Sequence, residues 1–209
     1  MGSKGSKKGV SVMEKILLAT NNPHKVLELE RRLLHLNIQA VTPKSLGISF
    51  DAEETGDTFH KNAAIKSETL FQLSGIPCIA DDSGICVNAL QGEPGVYSAR
   101  FGRPEFNDRE RALYLLERME GAADRRAHYT CVIAFTSSEG TEYFEGTCEG
   151  LITEDYDDEG KFGFGYDPVF YYPPFSERFS RVSPEMKDSV SHRSAALALF
   201  SESFLKRKR

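Results

Sequence analysis

Short apolar runs alternate along this chain with longer stretches in which apolar positions recur every three to four residues. Lys15–Ala19 is an apolar run of strand length, Thr20-Asn21-Asn22 breaks it, and Pro23 suits the first position of a helix. From Pro23 to about Leu36, residues Val26, Leu29 or Glu30, Leu33 and Leu36 share one stripe, which predicts a helix, and Ile38–Val41 predicts a second strand. After a loop over 42–56, Asp57 is placed to cap a helix from Thr58 to Leu73, with Phe59, Ala63, Leu70 and Leu73 inward. Ile76–Ala80 reads as the central strand, Ser83-Gly84 as a turn, and Ile85–Leu90 as an extended continuation. Asn107 and Glu110 have the spacing of a capping box and open a helix to Glu120. Arg126–Thr136 and Thr141–Cys148 flank Ser137-Ser138-Glu139-Gly140, a hairpin signal. Val169–Tyr172 predicts a short strand and Ser183-Pro184-Glu185 a helical turn. Ser191 to Leu205 predicts a last helix with Leu197, Phe200 and Phe204 on its apolar face. Early alternation of helix and strand followed by a hairpin points to α/β architecture with a mixed sheet.

At 209 residues, 40% hydrophobic and 27% charged, the chain can bury a proper core as one domain over 14–205. The net charge of −5 includes +3 from Lys4, Lys7 and Lys8 in a Gly/Ser/Lys arm at 1–13, read as flexible. It also includes +4 from the basic tail 206–209, so residues 14–205 carry −12. A body that acidic is a poor binder of nucleic-acid backbone, and short terminal charge runs are more often simply solvated. Cys78, Cys86, Cys131 and Cys148 are 8, 45 and 17 residues apart, with no Cys-x-x-Cys pair, and each lies in an apolar run. Buried free thiols in a reducing compartment fit that pattern. With no apolar leader segment and no membrane-length run, the expectation is a cytoplasmic protein without a membrane partner.

Candidate chemistry centres on Ile79-Ala80-Asp81-Asp82-Ser83-Gly84. Side chains alternate along an extended backbone, so Asp81 and Asp82 should point apart and only one should readily face a cleft. Adjacent carboxylates repel unless a cation or donors offset them, and such a carboxylate suits holding a divalent ion or deprotonating water. Taken alone, the stretch reads at least as readily as an Asx-type turn closed by Gly. Thr20 to Lys25 lies where a strand feeds a helix, a place that offers free N–H groups to an anion, although no Walker loop is present. Glu53-Glu54 precedes a helix, and with Asp82 one of the two could complete an oxygen site for Mg²⁺. The glycine-interleaved run Phe162–Pro168 suits either a rigid loop facing a planar ligand or core aromatics at a bend. His192 and Arg193 in the first turn of the last helix oppose its dipole, which calls for a compensating ligand or acid. The role of the acidic loop Glu154–Glu159 stays open.

In this order the motifs resemble the inosine/xanthosine triphosphate pyrophosphatase family. The matching pieces are Thr20–Lys25, Glu53-Glu54-Thr55-Gly56 with Thr58-Phe59 and Asn62-Ala63, and Ala80–Gly84. Pro94–Phe101, Gly163–Pro168 and Ser191-His192-Arg193 complete the set, which spans Ile16 to Leu199. The resemblance implies a two-lobed α/β chain with a long curved mixed sheet flanked by helices and a cleft between the lobes. It also implies homodimers and Mg²⁺-dependent hydrolysis of ITP, dITP or XTP to the monophosphate and pyrophosphate. By motif, Thr20, Asn21, Asn22, Pro23, His24 and Lys25 would cradle the phosphates. Glu53 and Asp82 would bind metal, with Asp82 also the base for water and Ser83 beside the substrate. Phe164, Gly165, Tyr166, Asp167, Lys187, His192 and Arg193 would line the nucleotide pocket, with Arg193, His192 or backbone N–H groups reading the C6 carbonyl. On this basis, replacing Arg193 should harm ITP use more than stability. Lys61 stands where the family usually has Glu, Ser194 for Gly and Ile85 for Leu. A related pyrophosphatase for modified pyrimidine nucleotides and a non-catalytic nucleotide sensor remain alternatives, separable by product analysis.

Overall fold

The computed structural model describes residues 13–207. The arm at 1–12 and the last two residues of the basic tail lie outside the described residues. Seven strands form one open mixed sheet in the order β2-β1-β3-β4-β5-β6-β7. β1 (Glu14–Leu18) pairs parallel with β2 (Ile38–Val41) and with β3 (Cys78–Val87). β3, β4 (Arg126–Ser137), β5 (Gly140–Ile152), β6 (Phe170–Tyr172) and β7 (Glu177–Arg178) then pair antiparallel in sequence. Helices α1 (Pro23–Leu34) and α5 (His192–Arg207) pack with one set of strand residues, and α2 (Phe59–Ser74) with the other. α3 (Asp108–Arg118) joins a third cluster near the β6 end, and α4 (Pro184–Asp188) is a short turn before α5.

Strand alternation explains this layering. Ile16, Leu18 and Ile79 face a core with Leu29, Leu33, Leu197, Phe200 and Phe204, whereas Leu17, Ala19, Cys78 and Ala80 face Leu70 and Phe50. Each large side chain buried there contributes roughly 1.5–3 kcal/mol. The third cluster gathers Ile85, Val87, Leu115, Met119, Phe170 and Phe179 around Tyr129.

Three sequence expectations need correction. β3 does not turn at Ser83-Gly84 but runs unbroken from Cys78 to Val87, paired residue by residue with β4. Gly84 has a different reason: a Cβ there would lie 2.2 Å from the backbone oxygen of Gly95 and 2.4 Å from Ser98 Oγ, so it lets the 3-10 segment Gly95–Arg100 lie against the strand. The cap of α2 is Thr58, whose side chain accepts from Lys61 N, while Asp57 instead pairs with Lys61 Nζ at 2.7 Å. Leu73 is 60% exposed rather than inward. The capping box of Asn107 and Glu110 and the buried stripe of α5 are as expected. All four cysteines are free, three buried and Cys86 half-buried. Among the described residues no helix is long and apolar enough to cross a membrane.

Candidate active site

The same alternation that builds the layers splits the two aspartates. Asp81 has the parity of Ile79 and meets α1 and α5, while Asp82 has the parity of Ala80 and meets α2. Lys25 Nζ on α1 lies 3.0 Å from Asp81 Oδ2. Arg193 on α5 donates to that oxygen from Nε and Nη2, each at 3.1 Å. Its Nη1 donates to Glu28 Oε2 at 2.6 Å, and Nη2 also to Ser83 Oγ at 3.1 Å. The carboxylates thus offset the cation that opposes the helix dipole. Burial alone would raise the Asp81 pKa, but Lys25, Arg193 and Lys66 outweigh it and hold the carboxyl well below the usual range.

Asp82 has the opposite balance. Its Oδ1 accepts from Ser83 N at 3.0 Å, and its buried Oδ2 has no hydrogen-bond partner among the described residues. Burial pushes its carboxyl up, while Lys66, 3.9 Å from Oδ1, pulls it down. Lys66 Nζ also donates to Glu54 Oε1 at 2.6 Å and to the backbone oxygen of Asp81 at 2.7 Å.

These groups open onto a cavity of about 470 Å³, within the range of small-molecule sites. One side is the β1–α1 junction, where Thr20, Asn21, Asn22 and Lys25 line it and Asn22 closes the first turn by accepting from Val26 N at 3.1 Å. Pro23 is exposed and does not line the cavity, and the side chain of His24 lies outside the described set. Glu53, expected at a metal, is also exposed and absent from the lining, whereas Glu54 is part of it. Asp82 and Ser83 form the floor with Lys66.

The other side is the aromatic loop. Asp167 anchors it, accepting from Phe164 N at 2.9 Å, Lys187 Nζ at 2.5 Å and Tyr129 OH at 3.4 Å. Phe164 faces the cavity with Lys187 Nζ 4.9 Å from its ring centre, Gly165 N donates to Asp108 Oδ2 at 3.0 Å, and Tyr166 is core, donating to Ser98 O at 2.7 Å. The core reading of this run therefore holds for Tyr166, while Phe164 faces the cavity. His192 stacks on Tyr129 at 4.8 Å and 13°, and its buried Nδ1 has no partner among the described residues. Burial and the nearby Arg193 and Lys187 charges drive its pKa well below the ordinary value, so the imidazole is neutral.

Among the described residues no cluster of three or more His, Cys, Asp or Glu side chains could hold a metal by themselves. Two carboxylates, Asp82 with its unpartnered oxygen and Glu54, are a donor set that fits a hard divalent cation completed by substrate phosphates. Lys66 and Tyr129 escaped the sequence reading. Lys66 carried a signal, three residues after Ala63 and four before Leu70 on the inward stripe of α2; Tyr129, in a strand buried on both faces, carried none. Lys61, the departure from the family pattern, is spent on the surface pair with Asp57. The acidic loop is structural. Asp157 binds Ser180 Oγ at 2.6 Å and Arg181 at 2.7 Å, and Asp155 and Asp158 pair with Arg178 and Arg109.

Fold and cavity define a class: a mixed-sheet α/β protein that collects cations, the start of a helix and the carboxylates of Asp82 and Glu54 around a space of small-molecule size. A model of the Ham1 family matches residues 16–203, and the chain belongs to that family. A relative from Leptospira interrogans named dITP/XTP pyrophosphatase is 56% identical over 182 residues, covering 87% of this chain and 92% of the relative. One of the same name from Thermus thermophilus is 42% identical over 193 residues, covering 91% of each. The solved Staphylococcus aureus Ham1 protein superposes with a TM-score of 0.85 at 36% identity, covering 94% of this chain and 100% of that one. A HAM1 protein from Coxiella burnetii gives 0.86 at 36% identity, covering 93% and 100%.

Proposed function

We propose that this protein hydrolyses deaminated purine nucleoside triphosphates, namely dITP, ITP and XTP, to the monophosphate and pyrophosphate, and so clears them from the cytoplasmic nucleotide pool. The observation that carries the reading is Asp82: its carboxylate lines the cavity, with Oδ2 buried and without a hydrogen-bond partner among the described residues, opposite a wall that carries Phe164, Lys187 and His192. Relatives bearing the name dITP/XTP pyrophosphatase across most of the chain support the substrate class.

In this reading Asp82 takes the proton from the attacking water, a transfer helped by burial, which raises its carboxyl toward a useful basicity. Lys25 and the N–H groups opening α1 hold phosphate oxygens, and Lys187 adds charge at the other wall. Mg²⁺ would be held by Asp82 with Glu54, Glu53 standing beside it in the same loop. When bound, such an ion neutralises phosphate charge and acidifies water. Ser83 lies beside the substrate path and is oriented by Arg193.

Base selection falls to His192 and Phe164. All three guanidinium nitrogens of Arg193 already donate to protein groups, so it shapes the pocket by holding Asp81 and Ser83. A proton on the imidazole of His192, which lines the cavity, would meet the C6 carbonyl of hypoxanthine or xanthine. Adenine's amine would leave that donor unpaired, at about 1–3 kcal/mol. We further propose a homodimer, read out by light scattering on the purified chain.

A panel of nucleotides with Mg²⁺, scored for pyrophosphate, tests the reading. Pyrophosphate with IMP, dIMP or XMP is the expected result. Turnover confined to modified pyrimidine nucleotides, or tight binding without turnover, overturns it. Glu54→Gln should weaken Mg²⁺ dependence more than Glu53→Gln; the reverse order would return the metal to Glu53.

A further inference from the structure

The reading above gives Lys66 no task, yet few side chains are placed with more restraint. It is 9% exposed on α2, and its Nζ is 2.6 Å from Glu54 Oε1, 2.7 Å from Asp81 O and 3.9 Å from Asp82 Oδ1. The ammonium therefore sits between the two carboxylates proposed to hold the divalent cation. A lysine this deeply buried persists only with such partners. A second cation arriving at the same carboxylates meets a fixed positive charge within a few ångströms, in a setting where repulsion is strong.

We propose that Lys66 is a built-in counter-ion, seated between Asp82 and Glu54 in the nucleotide-free protein, that keeps a divalent cation from binding ahead of the nucleotide. The two then enter as a pair, because the triphosphate brings the negative charge that lets ammonium and metal share the cavity. This rests on the proposed reading for the location of the cation. It also explains why the site has so few metal ligands: substrate oxygens supply the remainder.

Mn²⁺ binding to the full chain, followed by electron paramagnetic resonance, tests the inference without relying on turnover. Wild type alone should bind Mn²⁺ weakly, and a non-hydrolysable dITP analogue should tighten it by about 5- to 150-fold. Lys66→Met should bind Mn²⁺ alone about tenfold tighter than wild type or better, whereas Lys66→Arg, which keeps the charge, should show no gain. Thermal melts confirm folding, and Lys66→Gln serves if the Met variant fails to fold. Wild type binding Mn²⁺ equally well with and without the analogue overturns the proposal, as does a neutral variant that gains nothing. Pyrophosphate release from dITP by the same wild-type preparation separates the two claims. Release with the wrong Mn²⁺ pattern removes only the counter-ion. No release from any deaminated purine triphosphate removes the function reading.

Discussion

Neighbouring aspartates one residue apart have opposite fates, and their partners decide which is structural. Asp81 is locked through Oδ2 by Lys25 and Arg193, its Oδ1 left unpartnered, and does not line the cavity, whereas Asp82 lines it and has Lys66 only at 3.9 Å. Asp82→Asn should therefore lower kcat by about 10²- to 10⁴-fold with the melting temperature nearly unchanged; near-normal turnover would remove it as base. Arg193 is different. Its side chain is 5% exposed and holds both buried Asp81 and half-buried Glu28, so Arg193→Ala leaves these carboxylates short of a partner. A loss of about 3–5 kcal/mol is expected in denaturant melts, reversing the sequence expectation that nucleotide use would suffer before stability. His192 gives a pH signature. It stays neutral when folded, while the unfolded imidazole takes up a proton below about pH 6.5. The unfolded state then binds more protons, so stability falls as pH drops, by about 1.4 kcal/mol per pH unit for one such group. His192→Gln should flatten the stability profile between about pH 6.5 and 5 by that amount; an unchanged slope would show that His192 charges in place.

At the scale of elements, the periodicity of single segments was legible and their close approaches were not. The stripes of α1 and α5, the capping box of α3 and the β4–β5 hairpin all follow from local pattern. Ser83-Gly84 misleads because its turn propensity is overridden by ten consecutive pairings with β4, a long-range cause that no window contains. Alternation still divided Asp81 from Asp82 correctly, since a strand demands it whether or not a turn follows. Asp57 and Thr58 are both favoured caps by type, Asp somewhat the more so, and the path of the chain chooses Thr58. The two loop glutamates are a similar case: Glu53 and Glu54 are chemically alike, and the loop path alone turns Glu54 toward the cavity. Gly146 shows what packing hides from sequence. A Cβ there would lie 2.3 Å from His192 O and 2.4 Å from Ala196 N, so α5 rests directly on β5. Gly146→Ala should lift the start of α5, costing about 1–3 kcal/mol, and raise the KM for dITP because His192 moves with the helix. Lost stability with an unaltered KM would show that the displacement stops short of the cavity.

The molecule as a whole brings distant chain segments to one space. The β1–α1 junction, the loop before α2, the middle of β3, the aromatic loop after β5 and the start of α5 all line the cavity, and one continuous sheet joins them. Separate apolar clusters are strung along that sheet. A ligand touching both walls ties segments from distant parts of the chain, so it should stabilise the domain as a unit. With a non-hydrolysable dITP analogue and Mg²⁺ at a hundred times its dissociation constant, unfolding should be harder by about 2.7 kcal/mol and remain one transition. Pyrophosphate reaches only the phosphate side and should give a smaller shift at the same free concentration. The comparison is made by calorimetry on the full chain. Should the analogue split the melt into two transitions, with only one moving, the walls would belong to independently folding parts, and the cavity would be a seam between them instead of a site within a single domain.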